Sequence, residues 1–142
     1  MIQLPHMLEC KNCQSELSKW QKTYCSNKCQ QDFQYKKYID KWKAGLVSGS
    51  RGISTKNFSG HIIRYLHEIS NGCCSLCGWG EINPRTGRCP LELDHIDGDP
   101  DNNTEGNLRL LCPNCHSLTP TYRNLNFGNG RLWRREKYVK MV

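Results

Sequence analysis

Apolar positions along this chain recur with two different periods, and the places where one gives way to the other outline its elements. In CQQDFQYKKYIDKWKAGL, Tyr35, Tyr38, Ile39, Trp42 and Leu46 return at helical spacing and Gly45 is a natural stop, which predicts a helix over residues 28–44. Ile62, Ile63, Leu66 and Ile69 mark a second amphipathic helix over 59–70, with Gly72 at its end. The pattern then changes to short apolar runs, and LELDHI at 91–96 and LRLL at 108–111 read as strands. Between them IDGDPDNNTEGN is built of turn-forming residues, a compact polar loop. Pro113 suits the first turn of a short helix, which Pro120 stops or kinks. EINPRTGR predicts a hairpin connection, and VSGSRGIST, rich in Gly and Ser, predicts a hinge or linker. The fold class is therefore α+β, built on the order strand, loop, strand, helix.

Apolar residues make up only 37 % of the 142, so the core is small and needs staples. Ten cysteines can supply them, as disulfides in a secreted chain or as metal ligands in a reducing compartment. The spacing favours metal. Cys10-x2-Cys13 with Cys25-x3-Cys29, and Cys74-x2-Cys77 with Cys112-x2-Cys115, form two four-ligand sets of the kind that hold structural zinc. The first lies in a segment too short to bury a core, so the ion would supply much of its folding energy. In the second, Cys73 could replace Cys74 through a Cys73-x3-Cys77 spacing, although the two-residue spacing is the commoner one. Cys89 is expected to be a packed free thiol. No apolar run approaches the roughly 20 residues that span a bilayer, and MIQLPHMLEC lacks the basic start and apolar stretch of a signal peptide. A cytoplasmic chain without membrane association is expected. The expected organisation is a zinc module plus basic helix over 8–46, a linker over 47–58, a zinc-stapled core over 59–128 and a basic tail over 129–142.

Charge changes this picture through its distribution. The formal net charge is +7, and two zinc ions each bound by four thiolates would lower it to about +3, so the total decides little. Six of the 13 acidic residues, Glu92, Asp94, Asp97, Asp99, Asp101 and Glu105, fall in one stretch without Lys or Arg, and the rest of the chain is strongly basic. A basic body around one acidic focus suits an enzyme that holds a phosphate backbone with cations and a metal with carboxylates. Lys36, Lys37, Lys41 and Lys43 fall on the polar side of the first helix, a candidate DNA-contacting face. Arg123, Arg131, Arg134 and Arg135 interleave with Tyr122, Phe127, Trp133 and Tyr138, which also suits nucleic-acid contact. Solvated surface charge is the competing reading of both.

Candidate chemistry gathers where the acidic stretch meets the second cysteine set. A zinc ion on Cys74, Cys77, Cys112 and Cys115 has no open position, so it is scaffold, and it draws His116 towards the strand that bears Asp94 and His95. Asp94 offers a hard oxygen and His116 an imidazole nitrogen to a second, open metal site. His95, with an ordinary pKa of about 6.5, can be neutral near pH 7 and take a proton from an attacking water. Asp97-x-Asp99-x-Asp101 has the start of a calcium-binding EF-hand loop, but the positions that need Gly and Glu hold Asn102 and Leu108, so that reading fails.

LELDHIDGD, then Asn107 in GNLRLLCPNC, then His116 directly after Cys115 closely resemble the HNH endonucleases of the His-Me finger group, small phage-type members above all. A cysteine module followed by a basic helix also resembles the front half of some phage HNH proteins, so the likeness spans most of residues 8–125. It implies a ββα-metal core, with His95 as general base and with Asp94 and His116 binding a catalytic divalent cation, magnesium or manganese. It implies that Asn107 holds the loop and the base histidine in position. The reaction implied is hydrolysis of double-stranded DNA to 5′-phosphate and 3′-hydroxyl ends. The enzyme would act as a monomer or weak dimer, in the cytoplasm of a bacterial host if the chain is phage-encoded. The alternative is a non-catalytic zinc-containing DNA-binding protein in which the HNH residues are vestigial.

Overall fold

A computed structural model describes residues 8–50 and 58–126, which divide into two compact units, one ending at Lys41 and the other beginning at Trp42. In the first unit Cys10 and Cys13 sit on a tight turn. Gln14 N donates to Cys10 O and Cys10 N to Ser15 O, both at 2.8 Å, with Gln14 in the left-handed region at φ 61°. Helix α1, Asn27–Lys43, starts where Ser26 Oγ accepts from Cys29 N at 3.1 Å, which satisfies one of the amides that a first helical turn leaves open. Tyr24 packs against Phe33 of this helix, ring centroids 5.6 Å apart. Tyr35, Ile39 and Trp42 are buried, but Leu46 is 73 % exposed. The apolar row stops one turn earlier than the spacing predicts because Gly45, at φ 72°, turns the chain off the helical path.

The second unit is built on two strands. β1, Glu92–His95, and β2, Leu108–Leu111, are antiparallel, with Glu92 opposite Leu111, Leu93 opposite Leu110, Asp94 opposite Arg109 and His95 opposite Leu108. Helix α2, Gly60–Ile69, packs on β2 and is capped by Ser59, whose side chain accepts from His61 N at 3.3 Å. Only Ile62 and Leu66 of its four isoleucine and leucine positions named above are buried, whereas Ile63 and Ile69 are exposed. A two-stranded sheet is too narrow to cover a wider stripe than one i, i+4 row. Ile62, Leu66, Leu108, Leu110 and Leu111 form the small apolar core, together with the buried sulfurs of Cys74 and Cys112.

Helix α3, Pro113–Ser117, packs on both strands. Its cap is Cys112, whose Sγ accepts from Cys115 N at 3.4 Å, so the residue that ends the β2 connection also starts the helix. Thr119 Oγ1 donates to His116 O at 2.9 Å where the helix stops, just ahead of Pro120. The predicted hairpin connection is present as a bridge between Asn83 and Arg88. Ser50 pairs with Phe58 across residues 51–57, which lie outside the described residues, as does the whole of 129–142. No described helix is long and apolar enough to cross a membrane.

Candidate active site

The sulfurs of Cys10, Cys13, Cys25 and Cys29 all lie within 4.8 Å of one another, and so do those of Cys74, Cys77, Cys112 and Cys115. Cys13 to Cys25 is 3.6 Å, Cys25 to Cys29 is 3.4 Å and Cys77 to Cys112 is 3.8 Å. Thiolates about 2.3 Å from a tetrahedral zinc stand about 3.8 Å apart, so each group could hold a structural zinc ion. Cys74, not Cys73, belongs to the second group; Cys73 Sγ donates to Asn71 O at 3.5 Å. Burial opposes the Cys10 and Cys74 thiolates, yet surrounding backbone N–H groups bring both down to about 6. Cys29 pushes Cys25 up to about 11 and Cys77 pushes Cys115 up to about 12. Packed thiols cannot all ionise by themselves, and a cation shared by the four removes the conflict.

The second group fixes what lies beside it. Ser75 N donates to Leu110 O at 2.9 Å, which ties the cysteine turn to β2, and Cys112 and Cys115 anchor the start of α3. His116 follows directly. Side chains alternate along β1, so Glu92 and Asp94 share one face and Leu93 and His95 the other. His116 lies over the face of Glu92 and Asp94. Asp94 is only 5 % exposed, and its Oδ2 accepts from Arg109 Nε, its partner across the ladder, at 2.7 Å. Its Oδ1 lies 3.8 Å from His116 Nε2. His116 Nδ1 is hydrogen-bonded to Glu92 Oε2. An ionised carboxylate can only accept, so Nδ1 carries a hydrogen and Nε2 is the ring nitrogen left facing the Asp94 side. Tyr122 closes the site with its ring edge-on to His116, centroids 5.1 Å apart. One carboxylate oxygen and one imidazole nitrogen, each with its companion atom held elsewhere, thus face each other across 3.8 Å, a pair that could share a cation.

Asn107 is 8 % exposed and binds the loop between the strands. Its Nδ2 donates to Asp97 Oδ1 and to Asn102 O, both at 2.8 Å, and its Oδ1 accepts from Asp97 N at 3.0 Å. Its backbone O accepts from Ile96 N at 2.9 Å, directly after His95. The loop acids serve as turn formers: Asp97 Oδ1 accepts from Asp99 N at 2.8 Å, and Asp99 Oδ1 from Asp101 N at 2.9 Å. The Asn102 amide, with the Asp99 backbone N–H, holds the Asp97 carboxyl below its ordinary range against the opposing effect of burial. The side chain that meets the His95 ring is Asn103, whose Oδ1 lies 2.9 Å from His95 Nε2; Phe58 packs on the ring at 5.4 Å. No hydrogen bond among the described residues joins His95 to Asp94, His116 or Asn107.

Sequence reasoning passed over three of these residues. Glu92 stood out only as part of an acidic stretch, Arg109 as an ordinary strand residue, and Asn103 as one of many turn formers. The alternation along LELDH could have put Glu92 and Asp94 on one face, but the pairing of Asp94 with Arg109 needs the strand register. Of the basic candidates, Lys37 and Lys41 are exposed. Lys36 donates to Asn12 Oδ1 at 3.1 Å, and Lys43 pairs with Glu105 at 3.0 Å and lies 4.4 Å over the Tyr65 ring. Arg123 lies over Tyr122 at 4.9 Å, and Arg131, Arg134 and Arg135 fall outside the described residues.

A stretch of 39 residues, 28 % of this chain, is 62 % identical to the H-N-H endonuclease F-TflIV of Escherichia phage T5 and makes up 17 % of that protein. The chain therefore matches a small part of that relative's length. No family model and no solved structure matches the chain.

Proposed function

We propose that the chain is a metal-dependent DNA endonuclease of the HNH type, with β1, β2 and α3 as its ββα-metal core. The observation that carries the reading is the approach of Asp94 Oδ1 to His116 Nε2, with Arg109 and Glu92 holding the companion atoms. The short, strong identity to a protein named as an H-N-H endonuclease supports it. A divalent cation held by Asp94 and His116 would neutralise charge on the phosphate and on the departing 3′ oxygen. His95, at the end of β1, takes the proton of the attacking water on its unprotonated ring nitrogen. Asn107 holds the loop that follows His95 in its turn, and Glu92 and Arg109 orient the two ligands. With 59–128 as the nuclease core, against which Ser48 and Gly49 pack, the two four-cysteine groups carry structural zinc, the front one within a DNA-contacting module over 8–46. Lys37 and Lys41 offer phosphate contacts there.

Supercoiled plasmid incubated with the zinc-loaded chain should relax when magnesium or manganese is added and stay supercoiled without it. His95→Ala should cut at least about 100-fold more slowly, with zinc content and mobility-shift affinity for DNA unchanged. Cutting by that variant at the normal rate would remove His95 as base. Binding without nicking at every magnesium and manganese concentration would leave the non-catalytic DNA-binding reading in its place.

A further inference from the structure

We infer that Asn103 is the positioning residue for His95, its side-chain oxygen fixing the ring with hydrogen on Nε2 and the lone pair on Nδ1. What that lone pair does rests on the nuclease reading; which nitrogen carries it does not.

The assignment starts at Ser48, whose backbone carbonyl can only accept. The Asn103 atom 3.2 Å from it must therefore be the NH2 group. The other branch, Oδ1, then faces His95 Nε2 at 2.9 Å and also can only accept. Two acceptors make no bond, so Nε2 carries the hydrogen, and in a neutral imidazole the lone pair falls to Nδ1. Among the described residues Nδ1 makes no hydrogen bond. A half-turn of the ring would set a carbon against Oδ1 and lose the bond.

Asn103 is itself tied down. Trp42, 5 % exposed, donates from Nε1 to Asn103 O at 2.7 Å, and Asn103 N donates to Asp101 O at 3.2 Å. Gly49 closes against the same corner at φ +80°, where a Cβ would stand 3.2 Å from Trp42 Nε1 and 3.4 Å from Asn103 Cβ. With Phe58 packed on the ring, the histidine is held in one orientation before any substrate arrives, which is what a proton acceptor needs.

The test uses the full zinc-loaded chain with Asn103→Ala and Asn103→Asp, the second keeping an acceptor at the same branch. Long-range 15N spectra of the His95 ring report which nitrogen carries hydrogen, and plasmid nicking gives kcat and KM. The wild-type ring should show hydrogen on Nε2. Asn103→Ala should show a mixture of both forms, with kcat down about 10- to 100-fold and KM for DNA within about twofold. Asn103→Asp should keep hydrogen on Nε2 and recover kcat only at higher pH, because the added carboxylate favours the imidazolium, which has no free nitrogen to accept a proton. A wild-type ring with hydrogen on Nδ1, an unaltered ring and rate in Asn103→Ala, or loss of the hydrogen on Nε2 in Asn103→Asp would each overturn the assignment. Should the wild type nick nothing, the spectra still decide the role of Asn103, and the nuclease reading alone falls.

Discussion

Asp94 and His116 each offer one atom to the gap between them and have the other held, Oδ2 by Arg109 and Nδ1 by Glu92. That division makes two outer side chains testable apart from the two proposed ligands. Glu92→Gln removes the ionised acceptor that selects the His116 tautomer, so manganese binding, followed by electron paramagnetic resonance, should weaken by about 10- to 100-fold with zinc content intact. Unchanged manganese affinity would leave Glu92 without that role. Arg109→Ala leaves a carboxylate that is 5 % exposed without its charged donor and should destabilise the chain by about 1–3 kcal/mol in urea unfolding. Adding Asp94→Asn should recover part of that loss, because the isolated charge is gone. As candidates, Asp94, His95 and His116 could be picked out by residue type and spacing. Arg109 and Asn103 could not, since their meaning comes from strand register and from a loop conformation that no local pattern reports.

At the scale of elements the periodic segments were the readable ones. LRLL gave the limits of β2, and the two helices begin and end within a residue of the predicted spans. What the periodicity could not report was how much of each apolar face the fold would cover, hence the exposure of Leu46, Ile63 and Ile69. The loop between β1 and β2 was recognisable as turn chemistry, but its closure was not. Gly98 is buried there at φ +76°; a Cβ would stand 2.6 Å from both Asn126 Oδ1 and Thr121 Cγ2, and Asn126 Nδ2 donates to Gly98 O at 2.7 Å. Both the backbone angle and the space demand glycine. Gly98→Ala should therefore cost about 1–3 kcal/mol of stability. It should also speed hydrogen exchange at the Asp99 and Asp101 amides, which bond to the carboxylates two residues before them. An unfolding midpoint equal to wild type would contradict this account of the loop.

For the whole molecule, the two four-cysteine groups fall in different compact units, so removing one zinc should leave the other in place. Cys13→Ser should lower bound zinc from about two to about one per chain and unfold the segment before α1, which has little apolar surface to hold it without metal. Cys115→Ser should lower it equally but act on the site, because the same group caps α3 and sets His116 against Asp94. The expected contrast is magnesium-dependent nicking that survives Cys13→Ser with weaker DNA binding and disappears in Cys115→Ser. Loss of both ions from either variant would refute the separation. Acidity should act on both groups in one direction: Cys10 and Cys74 lie at about 6, below the ordinary thiol value, so their thiolates are present above that pH and lost as it falls. Zinc uptake by the metal-free chain, timed with a coloured zinc indicator, should slow as the pH drops through about 6 and be fast above it. A rate that stayed flat from pH 7 to 5 would show that neither thiolate starts the capture.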